Sequence, residues 1–129
     1  MTSNRATPSL WLTALGGGFT GAFSWALAWL ISGKFEPYDS GLGLVVNQLT
    51  LLVATVLVAW RYGLVITLLF VFNAYLGLNA FTYAFGSSET RGWAGLGAVV
   101  SVLLFLMPAL SALAAMALRY LLGRRGAST

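Results

Sequence analysis

The 129-residue chain is 59% hydrophobic and only 8% charged, where soluble domains run to roughly 45–50% and about 25%, so most of its side chains must meet lipid rather than water. Cysteine and histidine are both absent, which excludes disulfides, thiol nucleophiles, imidazole bases and the commonest metal and haem ligands; no cofactor or metal is expected. Seven basic residues against three acidic ones give a net charge of +4, but the basic residues are scattered and form no stripe for nucleic acid.

The charges fall at Arg5, Lys34 to Asp39, Arg61, Glu89 with Arg91, and Arg119 to Arg125. Between them lie apolar runs long enough to cross the hydrocarbon core, which takes about 20 helical residues. The expected fold is therefore an all-α integral membrane protein, a four-transmembrane-helix bundle forming one domain over residues 1–129.

Span 1 covers residues 9–32, entered through Thr7-Pro8, where proline's missing N–H is harmless. The apolar run is longer than a signal-peptide core, so the small-x-small sequence Ala26-Leu27-Ala28 is not expected to be a cleavage site. Residues 33–40 form a loop broken by Pro37. Span 2 covers 41–60, and Arg61-Tyr62-Gly63 leads straight into span 3, 64–85, making the two antiparallel neighbours. A polar turn over 86–92 precedes span 4, 93–122. As a helix this last run is about 45 Å long, so it must tilt or emerge from the bilayer, and Pro108 near its middle should kink it.

Orientation follows from the basic residues. With both termini cytoplasmic, Arg5, Arg61, Arg119, Arg124 and Arg125 lie inside and only Lys34 and Arg91 outside, as the positive-inside rule requires. All three carboxylates, Glu36, Asp39 and Glu89, then fall outside. Trp11, Trp60, Tyr62 and Tyr120 would make an inner aromatic belt, and Trp29, Tyr38, Tyr83 and Trp93 an outer one. The short loops suit a bacterial inner membrane. An echo 54 residues apart, Gly41 to Asn47 against Gly95 to Ser101, suggests two tandem two-helix repeats, although low-complexity apolar sequence also matches itself.

No ionisable side chain lies deep in any span, so ion coupling through a buried charge is not expected. Uncharged polar groups are present instead. Ser24, Asn47, Gln48, Asn79 and Ser101 reach similar depths and can meet in the outer leaflet, while Asn73 sits near the midplane and needs a partner of its own. Such a layer either glues helices together, at about 0.6 kcal/mol per contact, or lines an outward pocket for a neutral or weakly polar solute. Gly17 and Gly21, with Gly77 and Ala80 of span 3, form small stripes suited to close helix packing. Trp25, deeper than a belt residue, is expected to pack rather than to stack on a lipid, quinone or pigment. Arg119, Arg124 and Arg125 can hold anionic lipid headgroups.

Catalysis lacks a positioned titratable group. Two functional readings remain. One is a small non-catalytic subunit or accessory component of a membrane complex, working through helix–helix contacts with itself or with other membrane subunits. The other is a small oligomeric channel or carrier for a neutral or weakly polar solute.

Overall fold

The computed structural model describes residues 9–127, with the side chains of Tyr38 and of residues 125–127 excepted. Arg5, Thr7 and Pro8 lie outside the described residues, as do the Tyr38 and Arg125 side chains. Among the described residues the chain is all helical, with no strand. Four stretches are long and apolar enough to cross a membrane, Leu10–Ser32, Gly41–Tyr62, Leu64–Phe85 and Ala94–Arg124.

Each helix boundary has a local cause. Helix α1, Leu10–Ser32, starts where the Ser9 hydroxyl accepts from the Leu12 amide at 3.1 Å, satisfying one of the orphan donors of the first turn. Helix α2, Gly41–Tyr62, is capped in the same way by Ser40, which accepts from Gly43. Helix α3, Leu64–Phe85, follows after Gly63 alone. The expected three-residue connection is thus shorter, because Arg61 and Tyr62 stay helical. Gly63 takes φ +88°, a region that a residue with a Cβ rarely adopts, and this lets the chain reverse in one step. A short helix α4, Ser88–Gly92, occupies the polar turn and is capped by Ser87.

Helices α1 and α3 form the tightest pair, and glycine is the reason. A Cβ on Gly17 would stand 2.4 Å from the Phe70 carbonyl oxygen, one on Gly21 1.9 Å from that of Ala74, and one on Gly77 2.0 Å from that of Gly18. The two backbones are therefore in direct contact, and the register rises together along both helices, so they run parallel. Small residues at i and i+4 permit this approach in lipid, where packing replaces the hydrophobic effect as the force between helices. The Gly17–Gly21 stripe is consumed inside the chain. Ala80, expected on the same packing stripe, is exposed instead, because it borders an open space shared with Trp25 and Trp29 of α1.

The fourth span is interrupted more deeply than a kink. It comprises α5, Ala94–Ser101, a 3-10 segment, Val102–Phe105, and α6, Leu106–Ala127. Pro108 has no N–H to give to the carbonyl four residues earlier, that of Leu104, and its ring crowds that oxygen. The Gln48 side chain of α2 supplies the missing donor, Nε2 reaching Leu104 O at 2.8 Å. The break lets α5 lie on α3 while α6 packs chiefly on α2, so one span serves two neighbours. The core between them holds Trp25, Leu51, Ala74, Leu78, Leu104 and Phe105.

Outside this core the surface is strongly apolar along the helices, with Phe19, Leu30, Val65, Phe72 and Leu103 among the exposed residues. An exterior of this kind, over helices of spanning length, belongs in hydrocarbon. Trp11, Trp60, Tyr62 and Tyr120 are exposed near one end of the bundle and Trp29, Tyr83 and Trp93 near the other.

Candidate ligand-binding chamber

The six polar residues singled out in the spans are all placed, and they do not form one layer. Ser24, Asn47 and Gln48 form a chain across α1, α2 and the fourth span. Asn47 Nδ2 donates to Ser24 Oγ at 3.1 Å, Ser24 Oγ donates to Gly21 O at 2.8 Å, and Gln48 Nε2 reaches both Asn47 Oδ1, at 3.2 Å, and Leu104 O. Asn79 and Ser101 form a second, separate pair between α3 and α5, with Asn79 Nδ2 donating to Ser101 Oγ at 3.0 Å and to Tyr75 O at 2.9 Å. Asn73 turns back on its own helix and donates to Leu69 O at 2.8 Å. The two groups part because the break after Ser101 sends α5 to α3 and the Leu104 carbonyl to α2.

Ser24 and Asn47 are fully buried and Gln48 half-buried, and the hydrogen bonds of this group tie α1, α2 and the fourth span together. In the second group Ser101 is also buried, and Asn79 is half-buried. Asn79 and Ser101 line a chamber of about 1160 Å³ at the end of the bundle formed by the 33–40 and 86–93 connections. That is slightly above the 300–1,000 Å³ usual for small-molecule sites. Because Ser101 retains its bond to Ala98 O at 3.0 Å, Asn79→Leu should cost only about 0.6 kcal/mol in reversible detergent unfolding. A loss several times larger would mean that the pair holds α5 in place.

Aromatic rings make the chamber walls, and their arrangement depends on Phe35. This loop residue folds back over α1, edge-on to Trp29 at 5.0 Å and to Trp25 at 5.8 Å, and stacks on Phe81 at 6.5 Å. Offset and edge-to-face pairs of this kind add about 0.5–1.5 kcal/mol each beyond area burial. Trp25 is thereby buried in the core, a packing role, while still contributing to the chamber lining. Trp93, at the head of α5, and Tyr83 and Phe85, at the end of α3, complete the aromatic wall.

Glu36, Asp39 and Glu89 stand at the rim. Among the described residues none of their carboxylates takes part in a hydrogen bond or ion pair with another described side chain. The nearby cation is otherwise engaged: Arg91 donates to Tyr83 O at 2.8 Å and to Ala84 O at 3.1 Å, and its guanidinium lies 5.7 Å from the centre of the Tyr83 ring. It thus caps the C-terminal carbonyls of α3, where a positive charge is favoured by the helix dipole. Arg91→Ala is expected to lower stability by about 1 kcal/mol at most, given its exposure, read as a small fall in melting temperature.

At the opposite end, Arg119 donates to the Trp60 carbonyl and Arg124 lies 5.9 Å from the centre of the Tyr120 ring. Both border a smaller cavity of about 470 Å³ between α6 and the α2–α3 turn. The expected headgroup cluster is thus partly occupied by intramolecular contacts.

Sequence reasoning missed Phe35, a loop residue with no periodicity to mark it, and the gathering of all three carboxylates with the aromatic residues around one opening. The signal available for Phe35 was its place between Lys34 and Glu36, an apolar ring where only polar loop residues were needed. No family model matches the chain, and no curated protein or solved structure matches it either.

Proposed function

We propose that this chain is a small, non-catalytic protein of a bacterial inner membrane, both termini cytoplasmic, that binds an amphipathic solute in a chamber opening to the outer face. The orientation rests on the five-to-two division of basic residues, with the chamber end on the poorer side. One observation carries the binding reading: a chamber with an aromatic wall and a small polar floor, which the chain's own side chains leave open. This is the composition of small-molecule sites generally, mostly apolar with a few placed polar groups.

The same arrangement gives a carrier its binding half. Below the floor, the 3-10 segment and Pro108 divide the fourth span, and irregular turns within long helices are common hinge points. The polar groups beyond the floor are bonded within the chain, so passage to the cytoplasmic side would require the helices to move. Association with itself or with other membrane subunits would use the apolar outer faces, such as Leu12, Leu15 and Phe19 of α1, which are exposed.

The accessory-subunit reading is favoured by a different observation, the satisfaction of Asn47, Gln48 and Asn73 within the chain, which leaves no polar track through the bundle. Isothermal calorimetry on the purified protein in nanodiscs separates the two readings. Saturable, stoichiometric binding of a phenylalkyl probe above empty-disc partitioning is expected, and Gly97→Leu should weaken it. Gly97 lines the chamber, and a Cβ there would meet nothing within 4 Å, so a side chain can start from this position without a clash at Cβ. Partitioning alone, or an unaffected Gly97→Leu, returns the protein to the accessory class.

A further inference from the structure

We infer that the chamber's ligand is a monovalent organic cation, a quaternary or fully alkylated ammonium group carrying an apolar ring or chain. This rests on the binding reading above and adds to it the sign of the charge and the shape of the headgroup.

The sign comes from the lining. Its titratable groups of full charge are Glu36, Asp39 and Glu89, all acidic. Lys34 and Arg91, the basic residues of the same loops, do not line it, and Arg91 is held by the Tyr83 and Ala84 carbonyls. An anion would need N–H or O–H donors at the floor. There the Asn79 amide is already committed to Ser101 Oγ and Tyr75 O, and the one Ser101 hydroxyl proton to Ala98 O or Asn79 Oδ1; the other side-chain donors of the lining, such as the Trp29 and Trp93 indoles and the Tyr83 phenol, are neutral, and no cation stands among them.

The shape comes from the spacing of the acids and the nature of the walls. Among the described residues no three carboxylate or other metal-ligating side chains stand close enough to hold a metal ion. A compact ion that demands convergent oxygen ligands is therefore poorly served. A large cation with diffuse charge is served well. It is drawn in by separated carboxylates at the rim and rests against the faces of rings, whose quadrupoles are negative. Trp29, Phe35, Phe85 and Trp93 supply those rings, Trp25 being buried in the core and Tyr83 already facing the Arg91 guanidinium. Long-range attraction at the rim works alongside them, since field lines concentrate in a low-dielectric cleft lined by one sign of charge.

The test compares three probes of similar size on the full chain in nanodiscs: benzyltrimethylammonium, its uncharged carbon isostere neopentylbenzene, and 4-phenylbutyrate. The cation is expected to bind roughly ten-fold or more tightly than the isostere, the gain attributable to ring faces and nearby charge, and the anion not to saturate. The variant E36Q/D39N/E89Q should shrink that preference, the ratio of cation to isostere affinity being the quantity read. On the unmodified protein, raised salt should weaken binding of the cation alone, a readout that does not depend on any variant folding. Equal binding of cation and isostere, preference for the anion, or a cation preference that survives the triple variant overturns the inference while leaving the chamber as a binding site. If no probe saturates, the binding reading itself falls. Discs made with and without phosphatidylcholine distinguish the source of the cation. Suppression of probe binding by the choline lipid assigns the chamber to a lipid headgroup, and persistence assigns it to a free solute.

Discussion

Gly21→Ala and Gly77→Ala are each expected to destabilise the bundle by about 1–3 kcal/mol, the range for overpacking a well-packed interior, and the corresponding valine variants to prevent folding. The reason lies in which atoms the new methyl would meet. At Gly21 they are the Ala74 carbonyl oxygen, carbon and Cα, at 1.9, 2.7 and 2.9 Å, and at Gly77 the same three atoms of Gly18, at 2.0, 2.7 and 2.7 Å. Backbone cannot change rotamer, so α1 and α3 must separate. In lipid their contact is dispersion at short range, which a gap of an ångström largely removes. Gly16→Ala is the control. Its Cβ would come no closer than 4.0 Å, to the Phe70 ring, an ordinary contact, and its stability should be unchanged or slightly raised through helix propensity. Reversible unfolding in mixed detergent and SDS, followed by circular dichroism, reads all of these. Equal behaviour of Gly16→Ala and Gly21→Ala would contradict the described register.

The second large effect concerns the break in the fourth span. Gln48→Leu removes the donor to Leu104 O and the donor to Asn47 Oδ1, leaving two acceptors without that partner, and should cost about 1–3 kcal/mol. Pro108→Ala restores an N–H that can reach the carbonyl four residues earlier, so in that background the same Gln48→Leu change should cost less. The expected double-mutant coupling is about 0.5–3 kcal/mol. Additive losses would mean that Gln48 does not compensate for the proline and that the bond seen to Leu104 is incidental.

The four apolar helices of spanning length were legible because the hydrocarbon thickness sets their length and the charges mark their ends. The close-packing role of Gly17, Gly21 and Gly77 was legible as well, since little else explains small residues at that spacing. The partner of each stripe was not, because a stripe records how near a neighbour can come and not which neighbour it is. The polar residues show the limit most clearly. Counting along the chain gave Ser24, Asn47, Gln48, Asn79 and Ser101 a common depth, and depth is a property of sequence separation. Rotation about each helix axis is set by packing, and it separated Asn79 and Ser101 from the rest. Pro108 was expected to bend its helix. That the freed Leu104 carbonyl would recruit Gln48, and that α5 would swing onto α3 to open a chamber, depended on contacts some 56 residues apart. The acids were expected on one side of the membrane, but their position around an aromatic opening required Phe35 to fold inward from a loop that carries no pattern.

Access to the chamber from the outer side is directly measurable, because the chain contains no cysteine of its own. Gly97→Cys puts a lone thiol on the chamber lining, and Leu51→Cys puts one in the sealed core. In intact cells a membrane-impermeant maleimide should label the first and spare the second, and benzyltrimethylammonium should slow that labelling. Labelling of Gly97→Cys only after the membrane is permeabilised, or labelling of both positions alike, would contradict outward access to the chamber.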